Sequence, residues 1–159
     1  MLSATTLLAV TLLGAVPNAA PAGHSLLTVM GTEKAGVQRV SVLRVDPWLQ
    51  PIQTITPTRV EHAFSQEAVI TNVDEASLNS IVDALSNATV YGNGCYNKDY
   101  TVAGFRVGWA LLLYGDSSRR VGAVYLSENG LCAIISNKLY DVDPSLLIFL
   151  RRTFSFMNY

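Results

Sequence analysis

The chain has 159 residues, half of them hydrophobic and only 14% charged, and eleven basic against twelve acidic side chains give a net charge of −1. That length suits one domain, and the near-neutral balance offers no electrostatic case for a nucleic-acid or anionic-membrane partner. Past the first 22 residues no apolar run is long enough to span a bilayer.

The N-terminus reads as an export signal. Leu7 to Val16 is apolar and of signal-core length, Pro17 and Asn18 break it, and Ala20-Pro21-Ala22 supplies small residues for cleavage before Gly23. The expected organisation is a signal peptide over 1–22 and a single domain over 23–159. Against this stands the absence of Lys or Arg in the first 22 residues; the alternative is a buried N-terminal helix.

Ser25 to Gly31 and Val37 to Val45 are β-rich and joined by a polar turn, and they predict an outer strand with both faces partly covered. Pro47 and Pro51 interrupt it, since neither can donate to a ladder. Ile52 to Thr56 is expected as a short edge strand. Thr58 to Phe64 reads as another strand, with Val60, His62 and Phe64 on one face.

A helix is predicted over Asp74 to Ser86. Leu78, Ile81, Val82 and Leu85 fall at i, i+3, i+4 and i+7, and Asn72 with Glu75 has the spacing of a capping box. Next comes the Tyr91–Tyr100 loop, with Tyr91, Tyr96 and Tyr100 among Asn, Gly, Lys and Asp. Phe105 to Tyr114, Arg120 to Ser127 and Leu131 to Ser136 then predict a three-stranded meander. Gly115-Asp116-Ser117-Ser118 marks its first turn, and Asn129-Gly130 marks the second as a type I′ hairpin. Asp143-Pro144 opens a final helix to Thr153, whose stripe is Leu146, Phe149, Leu150 and Thr153.

These elements define an α+β domain with an antiparallel sheet of about five or six strands, and two helices packed on one face. The expected core contains Trp109, Leu111, Leu113, Leu78, Ile81, Leu85, Leu146 and Phe149.

Chemistry is harder to find in this sequence. It contains no nucleophile elbow, His-Glu-x-x-His, Walker loop or dinucleotide fingerprint, and no cofactor or metal is expected. Asp141 and Asp143 form a carboxylate pair by spacing, but Asp143 is more economically a helix cap. His62, alternating with apolar neighbours, reads as a packed residue. Cys95 and Cys132, the only cysteines, are expected to form a disulfide, rather than buried thiols or a thiolate activated by His62.

Recognition has the better support. Tyrosines among small polar residues are the composition of adaptable binding loops, which nominates Tyr91, Tyr96 and Tyr100. Arg119 and Arg120 in a hairpin turn are candidates to clamp an acidic group. The expected function is a secreted or periplasmic, non-enzymatic binding protein (an inhibitor, an immunity-type protein or a small-ligand module) acting through surface loops on a protein partner or small ligand. The alternatives are a small secreted hydrolase using His62 with Ser or Cys, and a structural envelope component.

Overall fold

The computed structural model describes residues 23–49, 56–92, 95 and 105–158. The segment expected to be a signal peptide, the strand expected over Ile52 to Thr56 apart from its last residue, and the tyrosines at 96 and 100 therefore lie outside the described residues.

Among the described residues eight strands form one sheet: β1 (His24–Ser25), β2 (Arg39–Arg44), β3 (Gln66–Thr71), β4 (Thr89–Gly92), β5 (Val107–Tyr114), β6 (Arg120–Ser127), β7 (Cys132–Ile135) and β8 (Lys138–Val142). Their order is β1-β4-β8-β7-β6-β5-β2-β3, and every pairing is antiparallel. Four helices accompany them: α1 (Leu26–Met30), α2 (Pro57–Ala63), α3 (Glu75–Asn87) and α4 (Ser145–Thr153). The α+β class and the antiparallel sheet hold; five or six strands and two helices were too few.

The centre of the sheet is buried on both faces. On β5, Trp109, Leu111 and Leu113 point to one core, while Ala110 and Leu112 point to another. The first core also takes Leu78, Ile81, Val82 and Leu85 from α3, Leu146, Leu147 and Leu150 from α4, and Leu26 and Leu27 from α1. Burying each of these large side chains contributes about 1.5–3 kcal/mol. The second core holds Leu43, Phe105, Val107, Ile134 and Val60 of α2. Helices thus cover both faces, not one. On α4, Leu147 is buried, Phe149 is half-buried and Thr153 is exposed, which rotates the stripe away from the expected one.

Several local readings change for identifiable reasons. Of Ser25 to Gly31 only Ser25 is in a strand, and Leu26–Met30 is helical. The Ser25 hydroxyl accepts from the Thr28 amide at 3.2 Å and caps α1, and Gly31 ends it in the left-handed region at φ 67°. Thr58 to Phe64 belongs to a helix: Pro57 stands in its first turn, where a missing N–H costs nothing. In a helix Val60 is buried alone, and His62 is exposed rather than packed. The strand of this region is instead Gln66–Thr71, which forms the edge, so β2 lies inside the sheet between β5 and β3.

The helix signal at α3 was sound, but its cap is Asp74, whose carboxylate accepts from the Ser77 amide at 3.2 Å. Asn72 is turned to Gln38 instead. At Asn129-Gly130 only Gly130 has positive φ, and the connection is a wider loop pinned by Asn129 Oδ1, which accepts from Ser127 Oγ and the Leu131 amide. Gly130 is needed there for close approach, since a Cβ would lie 2.4 Å from Leu147 Cβ. The tight two-residue turn is Ser136-Asn137, at φ 48° and 60°. It pairs Ile135 with Lys138 and adds β8 as a fourth meander strand.

Candidate functional site

The registers place two chemically distinct clusters at opposite ends of the strands. At one end Cys132, the first residue of β7, is bonded to Cys95, with Cα atoms 5.7 Å apart. Cys132 lies opposite Asp141 of β8, and Asp141 lies opposite Gly92 of β4 on its other side. A Cβ at Gly92 would come within 3.2 Å of Asp141 Oδ2, so glycine here gives the carboxylate room. Burial pushes the Asp141 carboxyl above its ordinary range. Both sulfurs and the Asp141 carboxylate lie within 4.8 Å of one another. The bonded sulfurs are not thiolate ligands, so this trio is no metal centre while the disulfide is intact.

Two exposed apolar side chains stand at this end, Tyr91 at 60% and Leu131 at 49% exposure. Of the three candidate tyrosines the structure describes Tyr91, which lies on β4 rather than in a loop; Tyr96 and Tyr100 are not among the described residues. Asp143 is not paired with Asp141 around a cation. Its Oδ2 accepts from the Thr89 amide at 2.5 Å and hydroxyl at 2.9 Å, and its Oδ1 from the Ser145 amide at 2.8 Å. It ties the start of α4 to β4. Burial opposes its ionisation, but the hydrogen bonds from Ser145 and Thr89 together hold its pKa below the ordinary value.

At the other end Arg120 is not a free clamp. Its two terminal nitrogens donate to Glu61 of α2 at 2.7 and 2.6 Å, and the Tyr125 hydroxyl donates to the same carboxylate at 3.3 Å. Arg120 holds the Glu61 carboxyl below its usual range. Burial, aided by the Glu61 charge, pushes the Tyr125 phenol up. Arg119 is exposed. Beside this network the Tyr114 ring carries a second guanidinium: Arg39 Cζ lies 4.0 Å from its centroid and Arg120 Cζ 5.7 Å. The Arg39 Nε is buried with no acceptor. Next to it is a pocket of about 310 Å³.

Sequence reasoning missed a third arrangement, near the disulfide end. Arg44 is only 4% exposed. Its Nη1 donates to Glu128 Oε2 and to the carbonyls of Val45 and Gly108, its Nη2 donates to Glu128 Oε1, all at 2.8 Å, and its guanidinium lies over Trp109 at 4.9 Å. The partners are 84 residues apart in sequence, and no local signal announces the pair.

A catalytic role for Cys95 with His62 is removed by the disulfide, which leaves no free cysteine. No family model, curated protein or solved structure matches the chain. Among the described residues no helix is long and apolar enough to cross a membrane.

Proposed function

We propose that this chain is an exported, non-enzymatic binding protein that engages a protein partner through the surface at the disulfide end of the sheet, around Tyr91 and the loop that follows it. The observation that carries this reading is the Cys95–Cys132 bond, which fixes one point of the Tyr-rich loop to the first residue of β7, close to two exposed apolar side chains. A loop held in one shape before contact loses less entropy on association, where each side chain frozen costs about 0.5–1.5 kcal/mol. Export is supported by the same bond, since structural disulfides persist in oxidising compartments.

The test is affinity capture from envelope and culture extracts with the oxidised chain from Gly23 onward, repeated with Tyr91→Ala and Tyr96→Ala. The expected result is a partner retained by the parent chain and weakened about thirtyfold by the hot-spot substitution, a loss of about 2 kcal/mol. Tyr91→Ala should leave thermal stability unchanged, because its ring is largely in water. Capture equally strong in both variants and after reduction of the disulfide would place recognition elsewhere.

A further inference from the structure

Three arginines on the strands make specific side-chain contacts, and one of them differs from the other two in having no acidic partner among the described residues. Arg44 is neutralised by Glu128 and Arg120 by Glu61, each through two hydrogen bonds. Arg39, at the start of β2, has neither a carboxylate nor a carbonyl partner among the described residues. Its Cζ lies over the Tyr114 ring, 4.0 Å from the centroid, and its Nε, like that of Arg44, is buried without an acceptor. A ring contact of this kind restrains the guanidinium, and its planar fork of N–H donors suits a planar, two-oxygen acceptor.

The surroundings add polar groups and a defined space. The pocket of about 310 Å³ is lined by Gln38, Arg39, Asn72, Tyr114, Ser117 and Ser118, near the small end of ligand-site volumes. Gln38 Oε1 accepts from Asn72 Nδ2 at 3.3 Å, which leaves the Gln38 amide nitrogen as a donor. Ser117 and Ser118 are held at φ 56° and 59° by the β5–β6 turn, a conformation disfavoured for residues with a Cβ. Asp116 also lines the pocket. Its charge opposes a dianion more than a monoanion, and so favours a carboxylate over a phosphate.

We propose that Arg39, stacked on Tyr114, anchors a binding site for the carboxylate of a small organic acid in this pocket, at the end of the strands opposite the disulfide. The site does not depend on the loop surface proposed above, and either can fail alone. The experiment is an ¹H–¹⁵N NMR titration of the full chain with sodium acetate, against sodium chloride at equal ionic strength and against inorganic phosphate. Acetate should produce saturable shifts at the Arg39 Nε–H and the Gln38 and Asn72 side-chain amides, with a Kd of about 1–10 mM for so small a probe. Arg39→Lys keeps the charge but loses the fork, and should weaken acetate at least about tenfold. Arg39→Gln should abolish saturation, and Asp116→Asn should improve phosphate relative to acetate. The proposal is overturned by shifts that chloride reproduces, by saturation that survives Arg39→Gln in a folded protein, or by phosphate binding the parent chain more tightly than acetate.

Discussion

Replacing Glu128 by alanine should destabilise the protein by about 2–3 kcal/mol, well above the effect of an ordinary surface substitution. The Arg44 guanidinium makes two of its four hydrogen bonds to this carboxylate, and the arginine is 95% removed from solvent at its side chain. Removing one partner of a fully buried pair costs about 3–5 kcal/mol, because an uncompensated charge remains. The Glu128 side chain is 39% exposed, so water can reach the vacated position and lowers the cost. Glu128→Gln keeps one acceptor and should lose about 1 kcal/mol.

The decisive measurement is a double-mutant cycle with Arg44→Met, followed by urea unfolding of the oxidised protein at neutral pH. Trp109, fully buried beneath the guanidinium, is the fluorescence reporter. The two single losses should exceed the loss of the double variant by about 1–2 kcal/mol, since methionine removes the cation that makes Glu128 necessary. If Glu128→Ala costs less than about 0.5 kcal/mol, or the single effects simply add, the pair is an exposed contact of little consequence and the reasoning fails.

Two further predictions concern the disulfide end. Cys95→Ser with Cys132→Ser should lower stability by about 4 kcal/mol, the chain-entropy value for a separation of 37 residues; thiol titration of the denatured, non-reduced parent should find no free thiol among these two. Asp143 has a folded pKa held below its unfolded value, so its stabilisation is fully present above about pH 4 and is lost as pH falls through the lower folded value. Acid unfolding monitored by circular dichroism should therefore be shallower in Asp143→Asn, and an unchanged acid limb in that variant would contradict the hydrogen-bond assignment.

What could be read in advance follows element length and the range of the contacts. The eight residues of β5, the eight of β6 and the thirteen of α3 carry enough repeats for period to distinguish strand from helix. Leu26 to Met30 has no such length, and its identity lay in Ser25 and Gly31, six residues apart, as cap and stop. Seven residues of α2 with one buried side chain mimic alternation, and its start signal was Pro57 in the first turn. β8 was hidden because Ser136-Asn137 makes a tight hairpin without glycine. At the candidate sites, the Cys95–Cys132 pair was legible because there were only two cysteines to join. The Arg120–Glu61 and Arg44–Glu128 pairs, 59 and 84 residues apart, become visible only once β6 meets α2 and β2 meets the loop after β6.

The architecture also explains why both candidate sites lie where strands stop. A sheet with one solvated face can recognise a partner on that face, but β5 is buried along both sides from Val107 to Leu113. Along β5, side chains that meet solvent or a ligand are therefore confined to the strand ends and the connections leaving them, a common division between scaffold and site. The two ends are equipped differently. At the end of Cys132, Asp141 and Gly92, a covalent bond fixes Cys95 to β7 and the Arg44–Glu128 clasp ties β2 to the segment after β6, which suits a surface that must keep its shape. At the end of Arg39, Tyr114 and Thr71, a guanidinium that lies over Tyr114 and has no acidic partner among the described residues lines a small polar pocket, which suits a compact anion. Glu61 is what separates the two arginines on Tyr114: it pairs with Arg120, whereas Arg39 has no carboxylate hydrogen-bonded to it among the described residues. Glu61→Gln should therefore release Arg120 and strengthen acetate binding, while Tyr114→Leu, which removes the stacking surface from both arginines, should weaken it.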